Sequence, residues 1–379
     1  MIDMSLTEEQ LILQQNIREF VQTKITPAVI QKYDASGEFP WEIINELIAM
    51  DLHCMPIPEE YGGPGLDATT CALLAEELGK GCAGVATTIA ANGLACYPVM
   101  IAGTAEQKKL FFDIVLQGKL AAFCLTEPNA GSDAGGVMTT AERDGDEYVL
   151  NGTKCFITNG GVADVYTVFA NIDVKKGIRG LSAFIVERSR EGVRVGQEED
   201  KMGIRTSNTT EVILKNVRVP ADHLLGKEGG GFRIAMQTLD VSRPLVGAIS
   251  VGLAQAALDR AADYAKERRQ FGKPIASLQA VQFMLADMAI QIEAARSMVY
   301  RACWLVDSKQ PHSKEAAIAK VFASDVAMRV TTDAVQVFGG YGYSRQYPVE
   351  KLMRDAKIMQ IFEGTNQIQR VVIAGQILR

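Results

Sequence analysis

The 379-residue sequence predicts an α+β protein in which a block of β-strands separates two helical regions. Residues 6–117 and the chain after 229–231 show the apolar spacing of helices. Residues 120–225 instead alternate short β-branched and aromatic runs with turn dipeptides. We therefore expect an N-terminal helical domain at 1–119, a middle antiparallel β-barrel domain at 120–228 and a C-terminal four-helix bundle at 229–379.

The N-terminal region is predicted to begin with a capped helix. Thr7 with Gln10, or Ser5 with Glu8, has the spacing of a capping box, and glycine-rich breaks at 61–65 and 79–81 separate the later helices of this region. The uncharged stretch 82–104 is long enough to cross a bilayer, but its glycines, threonines and proline make it only weakly apolar. We expect a helix buried in the core there, and no membrane span.

Turn dipeptides divide the middle block. Asn151-Gly152 predicts a hairpin joining 148–150 to 153–158, because both residues tolerate positive φ. Asp144-Gly145 and Asn159-Gly160 mark further turns, and strands are predicted at 121–125, 165–172, 181–187 and 211–214.

The C-terminal region has the pattern of a helical bundle. Apolar residues recur at steps of four and three on one face of a helix over 278–303, at Val281, Leu285, Met288, Ile292, Ala295 and Val299. Breaks at 270–274, 309–313 and 339–347 leave about four long helices.

Composition excludes several classes of function. Thirty-nine basic and 45 acidic residues leave a net charge of −6, which gives no indication of nucleic-acid binding. Seven scattered cysteines without CxxC spacing and three separated histidines argue against a disulfide framework or a metal centre. The sequence has no Walker A loop, GxSxG, HExxH or strand-following GxGxxG. Such an enzyme commonly takes its chemistry from an organic cofactor. The acidic N-terminus lacks a targeting pattern, so we expect a cytoplasmic, bacterial protein.

Five segments are candidates for a site, although each also has an ordinary structural interpretation. The loop 125–133 exposes N–H groups and hydroxyls, or is a plain turn. Residues 156–161 place an aromatic ring and a hydroxyl on one strand face. The basic segment 267–273 follows a helix, and 336–342 is rich in glycine. In 358–367, Glu363 follows an apolar run and precedes a glycine, which suits a carboxylate with a raised pKa or a charged surface turn.

Together and in this order, the segments resemble the acyl-CoA dehydrogenase family from residue 6 to Arg370. The resemblance rests on TEPxAGSD at 126–133, FITNG at 156–160, RxxFGK at 268–273, QxxGGxG at 336–342, and the run from YPVEK at 347–351 to EGTNQ at 363–367. It implies helical, β-barrel and helical-bundle domains, a homotetramer built as a dimer of dimers, FAD as cofactor and an electron-transfer flavoprotein as partner.

The resemblance also implies site residues. Those expected to hold FAD are Phe123, Leu125, Thr126, Gly131, Ser132, Phe156, Thr158, Arg268, Phe271, Gln279, Gln336, Gly339, Gly340, Thr365 and Gln367. Among them Thr126 is expected near the pyrimidine edge of the flavin, Phe156 beside the isoalloxazine and Thr158 near N5. The residues from Arg268 to Gly340 are expected to reach the adenine diphosphate from a second subunit. Those expected to hold the acyl-CoA substrate are Ser132, Phe232, Met236, Leu239, Asp240, Ser242, Arg243 and Gly364.

The implied reaction is α,β-dehydrogenation of an acyl-CoA thioester to an enoyl-CoA. Glu363 is expected to remove the α-proton while the β-hydride passes to flavin N5, and the same site can run backwards as an enoyl-CoA reductase. Glu363 matches the base of short- and medium-chain members, whereas long-chain and isovaleryl-type members are expected to place theirs at 249–251. The small apolar run at 89–91 predicts a roomier acyl pocket, one that suits an aryl-propionyl tail.

Other readings remain open on sequence alone. The same fold hosts acyl-CoA oxidases and flavin monooxygenases, and an aryl-acrylyl-CoA reductase bound to an electron-transfer flavoprotein is a further alternative. A catalytically silent CoA-binding or scaffold protein would lack the base, and Glu363 argues against it.

Overall fold

The computed structural model describes residues 5–378, and its N-terminal part is helical as predicted. Its helices are α1 Glu8–Lys24, α2 Pro27–Ser36, α3 Trp41–Ala49, α4 Ala68–Gly81, α5 Ala83–Ala102 and α6 Ala105–Leu116. The capping box uses Thr7 and Gln10, whose side chains each accept a hydrogen bond from the other residue's backbone N–H. This reciprocal cap satisfies N–H groups that a helix start would otherwise leave unpaired.

Strands then form one eight-stranded sheet. They are β1 Leu120–Cys124, β2 Thr140–Asp144, β3 Glu147–Thr158, β4 Ala163–Asn171, β5 Leu181–Glu187, β6 Val193–Glu198, β7 Thr209–Pro220 and β8 Leu224–Leu225. Their order is β6-β7-β3-β2-β4-β5-β8, with β1 paired to β4. Most neighbours are antiparallel, but β1 runs parallel to β4, and β2 also pairs with β4 in parallel through Thr140 and Asn171. A parallel neighbour needs a longer connection than a hairpin, and the loop that leaves β1 carries the first candidate motif.

The hairpin predicted at Asn151-Gly152 is wrong. Both residues lie inside the continuous strand β3, where neither has a positive φ and the ladder to β7 has a bulge between Leu150 and Gly152. A Cβ on Gly152 would clash with Thr139 Oγ1, so the glycine serves a close approach instead of a turn. The turn at Gly145, with φ 62°, does connect β2 to β3.

The C-terminal part contains three long helices and two short ones, instead of about four long ones. These are α7 Gly231–Glu267, α8 Gln279–Asp307, α9 Ser313–Phe338, α10 Val349–Met359 and α11 Asn366–Ile377, with the two-residue strands β9 Arg269–Gln270 and β10 Lys273–Pro274 between α7 and α8. The predicted stripe on α8 faces inward, since Met288, Ile292, Ala295 and Val299 are buried.

Two helices are long and apolar enough to cross a membrane by composition, α5 and α7. Both are core helices, because 72% and 83% of their most apolar windows are buried inside the fold. Helix α5 packs against α4, α7 and β1, so it joins the two helical regions and the sheet. The prediction of a buried helix over 82–104 is therefore confirmed, and the candidate segments surround this junction.

Candidate active site

The loop after β1 is tied to β3 by a buried ion pair. Lys154 Nζ lies 2.7 Å from Glu127 Oε1 and donates to the Leu125 carbonyl at 3.1 Å, and Cys155 N donates to the Thr126 carbonyl at 3.0 Å. The Lys154 side chain is fully buried and that of Glu127 is 7% exposed. The first two candidate motifs are thus held against one another.

Glu127 also organises the next part of the loop. Its carboxylate accepts from the backbone N–H groups of Met138 and Thr139, at 2.7 and 3.0 Å, and from the Thr139 hydroxyl. Burial alone would raise the pKa of Glu127, but the Lys154 charge and these donors hold that pKa below its ordinary value. Burial lowers the pKa of Lys154, although Glu127 opposes the change.

An aromatic ring is exposed beside this loop. Phe156 is 63% exposed and has φ 56°, at a point where the β3–β7 ladder changes register. Positive φ is costly for a residue with a Cβ, and such strain clusters at ligand sites. Thr158 is more exposed than the buried residues Cys155 and Ile157, as the shared strand face predicts.

Several hydroxyls near Phe156 are unpaired. Within residues 5–378 the side chains of Thr126, Ser132 and Thr158 have no hydrogen-bond partner, and a Cβ on Gly131 would meet no atom within 4 Å. Asn159, with φ 63°, fixes the end of the strand by donating to the carbonyls of Thr88 and Ala121. Thr126, Ser132, Phe156 and Thr158 together form a surface that we call the ledge. Its free hydroxyls and exposed ring fit a flat heteroaromatic cofactor such as flavin.

An apolar wall continues from this ledge. Phe123 and Leu125 belong to the same hydrophobic cluster as Phe232 and Met236 from the start of α7. Leu125 is buried, and the three others are partly buried. Leu239, about one helical turn after Met236, is 8% exposed. The predicted flavin and acyl-chain residues are therefore brought together on one apolar surface.

Six of the remaining predicted cofactor residues form a second group at one end of the bundle, whereas Thr365 and Gln367 lie at the start of α11. Arg268 ends α7, Gln279 begins α8 and Gln336 lies near the end of α9, followed by Gly339 and Gly340. The Arg268 guanidinium lies 5.1 Å from the centre of the Tyr341 ring, which joins the ends of α7 and α9. In the described part of the chain, none of this group bonds to the loop 125–133.

Phe271 in this second group is almost fully exposed. Its side chain is 88% exposed at φ 52°, between β9 and β10. A strained, exposed aromatic residue on a short hairpin is suited to contact a ligand or another subunit.

Glu363 lies in the turn between α10 and α11, where the backbone is unusual. Glu363 has φ 53° and Gly364 has φ 90°. A Cβ on Gly364 would lie 2.5 Å from Gln369 Nε2, and at φ 90° any residue with a side chain would be strained, so the position favours glycine. Gln369 Nε2 donates to the carbonyls of both turn residues at 3.1 Å, and Thr365 caps α11 by accepting from Ile368 N. The turn fixes where the carboxylate points.

The Glu363 carboxylate faces α7. Ser242 Oγ donates to Glu363 Oε2 at 2.5 Å, and the buried Arg243 pairs with Asp240 at 2.6 Å while its Nε approaches the Glu363 carbonyl at 3.5 Å. Burial raises the pKa of Glu363, and the Ser242 hydroxyl and the charges of Arg243 and Lys320 partly offset that rise. A carboxylate with a raised pKa is suited to accept a proton and release it again.

The structure places a different α7 residue opposite Glu363 from the one expected. Ile249 packs on α4, where its backbone carbonyl would lie 2.7 Å from a Cβ on Gly79, and Ser250 and Val251 are buried beside it. Ser242, two helical turns earlier, faces Glu363. The expectation that 249–251 mark the alternative base position is therefore wrong, since it is out of register along α7. Asp240, Ser242 and Arg243 remain predicted CoA residues, and they lie beside Glu363.

Sequence reasoning missed the buried polar residues that support the site. Lys154 supports the loop 125–133, and Gln369 and Lys320 donate to backbone carbonyls of the Glu363-Gly364 turn. None of the three stands in a motif of obvious chemistry. One signal was available for Lys320, which shares a helical stripe with Ala316, Ala323 and Ala327 and so lies at a buried position.

Comparison with known families agrees with this geometry. Three family models match: the acyl-CoA dehydrogenase N-terminal domain at residues 7–119, the middle domain at 122–217 and the C-terminal domain at 229–378. Fold and family together define a flavin-dependent dehydrogenase. The chain belongs to the acyl-CoA dehydrogenase family, and FAD is its cofactor.

Individual relatives are similar over their full length. A short-chain-specific acyl-CoA dehydrogenase of Megasphaera elsdenii is 49% identical, with complete coverage of both chains. The structure of butyryl-CoA dehydrogenase from the same organism has a TM-score of 0.97 at 49% identity, also with complete coverage. A structure from work on the electron transferring flavoprotein of Acidaminococcus fermentans has a TM-score of 0.97 at 48% identity and covers all of both chains. The predicted α+β fold is confirmed.

Proposed function

We propose that this acyl-CoA dehydrogenase acts on short acyl chains and that Glu363 is its base. The observation that carries the proposal is the Glu363 turn, which holds a carboxylate of raised pKa against α7. In the reaction the α C–H bond breaks and its proton passes to Glu363. The β carbon loses a hydride, and a double bond forms between the two carbons. Bound FAD supplies the acceptor for that hydride.

The turn also offers a donor for the thioester oxygen. Among the described residues the backbone N–H of Glu363 has no hydrogen-bond partner. A fixed N–H beside the base would stabilise the negative charge that develops on the oxygen as the α-proton leaves. One turn would thus hold both the base and an oxyanion donor.

The cofactor residues fall into two groups that two subunits would bring together. The ledge at Thr126, Ser132, Phe156 and Thr158 would face the flavin ring. In the described part of the chain, the second group, from Arg268 to Gly340, has no hydrogen bond to that ledge, and it carries exposed rings at Phe271 and Tyr341. We propose a homotetramer in which this group reaches the adenine diphosphate of a neighbour's FAD.

The substrate is proposed to be a short acyl-CoA such as butyryl-CoA, in place of the aryl-propionyl group that 89–91 first suggested. Ile89 and Ala91 are buried in the packed α5 helix, which supports no extra room at these two positions. The names of the full-length relatives, short-chain-specific and butyryl-CoA dehydrogenase, point the same way. Turnover with butyryl-, octanoyl- and phenylpropionyl-CoA tests this proposal, and a preference for phenylpropionyl-CoA would contradict it.

Electrons are proposed to leave through an electron-transfer flavoprotein, which supports either oxidation or enoyl-CoA reduction. The 48%-identical neighbour comes from work on such a flavoprotein. The relatives compared are bacterial proteins, which supports a cytoplasmic bacterial enzyme. Reduction of an added electron-transfer flavoprotein by butyryl-CoA and the enzyme is the expected result. Rapid peroxide production in air without that flavoprotein would instead indicate an oxidase.

A further inference from the structure

A buried lysine lies directly behind the Glu363 turn. Lys320 of α9 is 0% exposed, and its Nζ donates to the Gly364 carbonyl and to Asn366 Oδ1, both at 2.9 Å. Asn366 is itself held by Asp325, whose Oδ1 accepts from Asn366 Nδ2 at 2.8 Å. The ammonium therefore connects the middle of α9 to the residue that follows the base.

Lys320 has no anion in contact with it. In the part of the chain that the structure describes, no carboxylate lies within 4.0 Å of its Nζ, and its two acceptors are neutral amide oxygens. A buried cation without a paired anion is costly to fold. Burial lowers the pKa of Lys320 to about 8, and the negative charge of Glu363 is the main influence that keeps it from falling further.

The other cation beside Glu363 has a paired anion. Arg243 forms an ion pair with Asp240 at 2.6 Å, and its charge also lowers the pKa of Glu363. Ser242 is neutral, and Tyr97 of α5 is the remaining titratable side chain with an electrostatic influence on Glu363. Burial raises the pKa of Tyr97, which keeps its hydroxyl neutral. Of the two cations, Lys320 is thus the one that no carboxylate contacts among the described residues, and its hydrogen bonds lead directly to the Glu363-Gly364 turn.

We infer that Lys320 is a positioning residue for the base: its hydrogen bond holds the Glu363-Gly364 turn at positive φ, and its charge adds to that of Arg243 in favouring the ionised Glu363 carboxylate. The hydrogen bond to the Gly364 carbonyl stabilises a backbone conformation that a glutamate seldom adopts. The charge opposes the burial that favours protonated Glu363. This inference rests on the proposed role of Glu363 and extends it to a residue that does not touch the substrate.

Two substitutions separate the charge from the hydrogen bond. Lys320→Met removes both, whereas Lys320→Gln removes the charge and keeps a donor for the Gly364 carbonyl. With purified holoenzyme, the rate of anaerobic flavin reduction by butyryl-CoA is measured across pH. The acid limb of the pH–rate profile is the range of low pH in which the rate falls. We expect both variants to move this acid limb to higher pH, because Glu363 loses a nearby cation. At the plateau of the pH–rate profile, Lys320→Met should also reduce its flavin about tenfold or more slowly than Lys320→Gln, because no donor supports its Gly364 carbonyl.

A matched control removes a buried lysine elsewhere. Lys351 is 8% exposed and pairs with Asp355 on α10, so Lys351→Met should lower thermal stability while leaving the acid limb where it is in the wild type. If Lys320→Met does not fold, Lys320→Arg and Lys320→Gln carry the test: arginine retains the charge and should keep the wild-type acid limb, and glutamine should not.

Two kinds of failure are distinguishable. If wild-type flavin is not reduced by any acyl-CoA, the proposed function fails and Lys320 is not at issue. If the wild type reacts but Lys320→Gln has an unchanged acid limb, Glu363 does not depend on the Lys320 charge and this inference is overturned. A loss of stability in both variants without a pH shift would leave Lys320 with a structural role only, which also overturns it.

Discussion

The ion pair under the flavin loop gives a prediction that can be worked out from the structure. Lys154→Met removes the cation that contacts Glu127 at 2.7 Å and leaves a carboxylate that is only 7% exposed. Three other donors to Glu127 remain, from Met138 and Thr139, so the loop keeps part of its support. The perturbation is therefore confined to one buried charge and to the contact with the Leu125 carbonyl.

Removing one partner of a buried pair costs about 3 to 5 kcal/mol, because the other charge stays buried without compensation. Unfolding entropy is about 2 cal/mol/K per residue, so for a 379-residue chain this loss lowers the unfolding temperature by about 4 to 6 °C. Because Leu125 and Thr126 lie on the predicted flavin ledge, FAD should also dissociate more readily from the variant.

The assay is thermal unfolding of the holoenzyme together with FAD release, followed by flavin fluorescence. Lys109→Met is the matched control, since Lys109 pairs with Asp113 at 2.8 Å on an exposed helix face and such pairs contribute little. We expect no measurable change for the control. If Lys154→Met has the same unfolding temperature and the same rate of FAD release as Lys109→Met, the buried pair does not support the loop and the reasoning is wrong.

Two further predictions concern the same site. Ser242→Ala removes the hydroxyl that donates to Glu363 at 2.5 Å and helps to limit its raised pKa, so the acid limb of flavin reduction should move to higher pH; a limb unchanged from the wild type would show that this bond does not tune the base. Phe156→Gly relieves the strain of positive φ at an exposed residue, so the free energy of unfolding of the FAD-free protein should rise by about 1 kcal/mol. FAD affinity should fall, and an unchanged affinity would show that Phe156 does not belong to the flavin site.

Local sequence signals predicted the regular parts of the fold well. The capping box at Thr7 and the strand at 181–187 depend on nearest neighbours along the chain, and both were found where expected. The hairpin predicted at Asn151-Gly152 failed because the same dipeptide also suits a bulge inside a strand. The β3–β7 ladder shifts register there, and Gly152 packs closely against Thr139. Only tertiary contact distinguishes the two uses of the glycine.

The candidate site was likewise predictable where it depends on local sequence motifs, and not where it depends on tertiary contacts. Motif spacing identified Glu363 and the loop 125–133, because these residues stand in recognisable runs. The support of the base was not predictable, since Lys320 and Gln369 act through hydrogen bonds to backbone carbonyls that only the folded turn presents. The register of α7 was also missed by two turns, because Ser242 and Ser250 are both buried serines on this helix and only packing shows which one faces Glu363.

The role of Glu363 is tested most directly by single-turnover flavin reduction with butyryl-CoA under anaerobic conditions, comparing the wild type with Glu363→Gln. Glutamine keeps the size and polarity of the side chain but cannot accept the α-proton as a carboxylate does. We predict that the variant retains FAD and reduces it at least about a hundredfold more slowly. A Glu363→Gln variant that binds FAD and is reduced at the wild-type rate would show that the proton goes elsewhere.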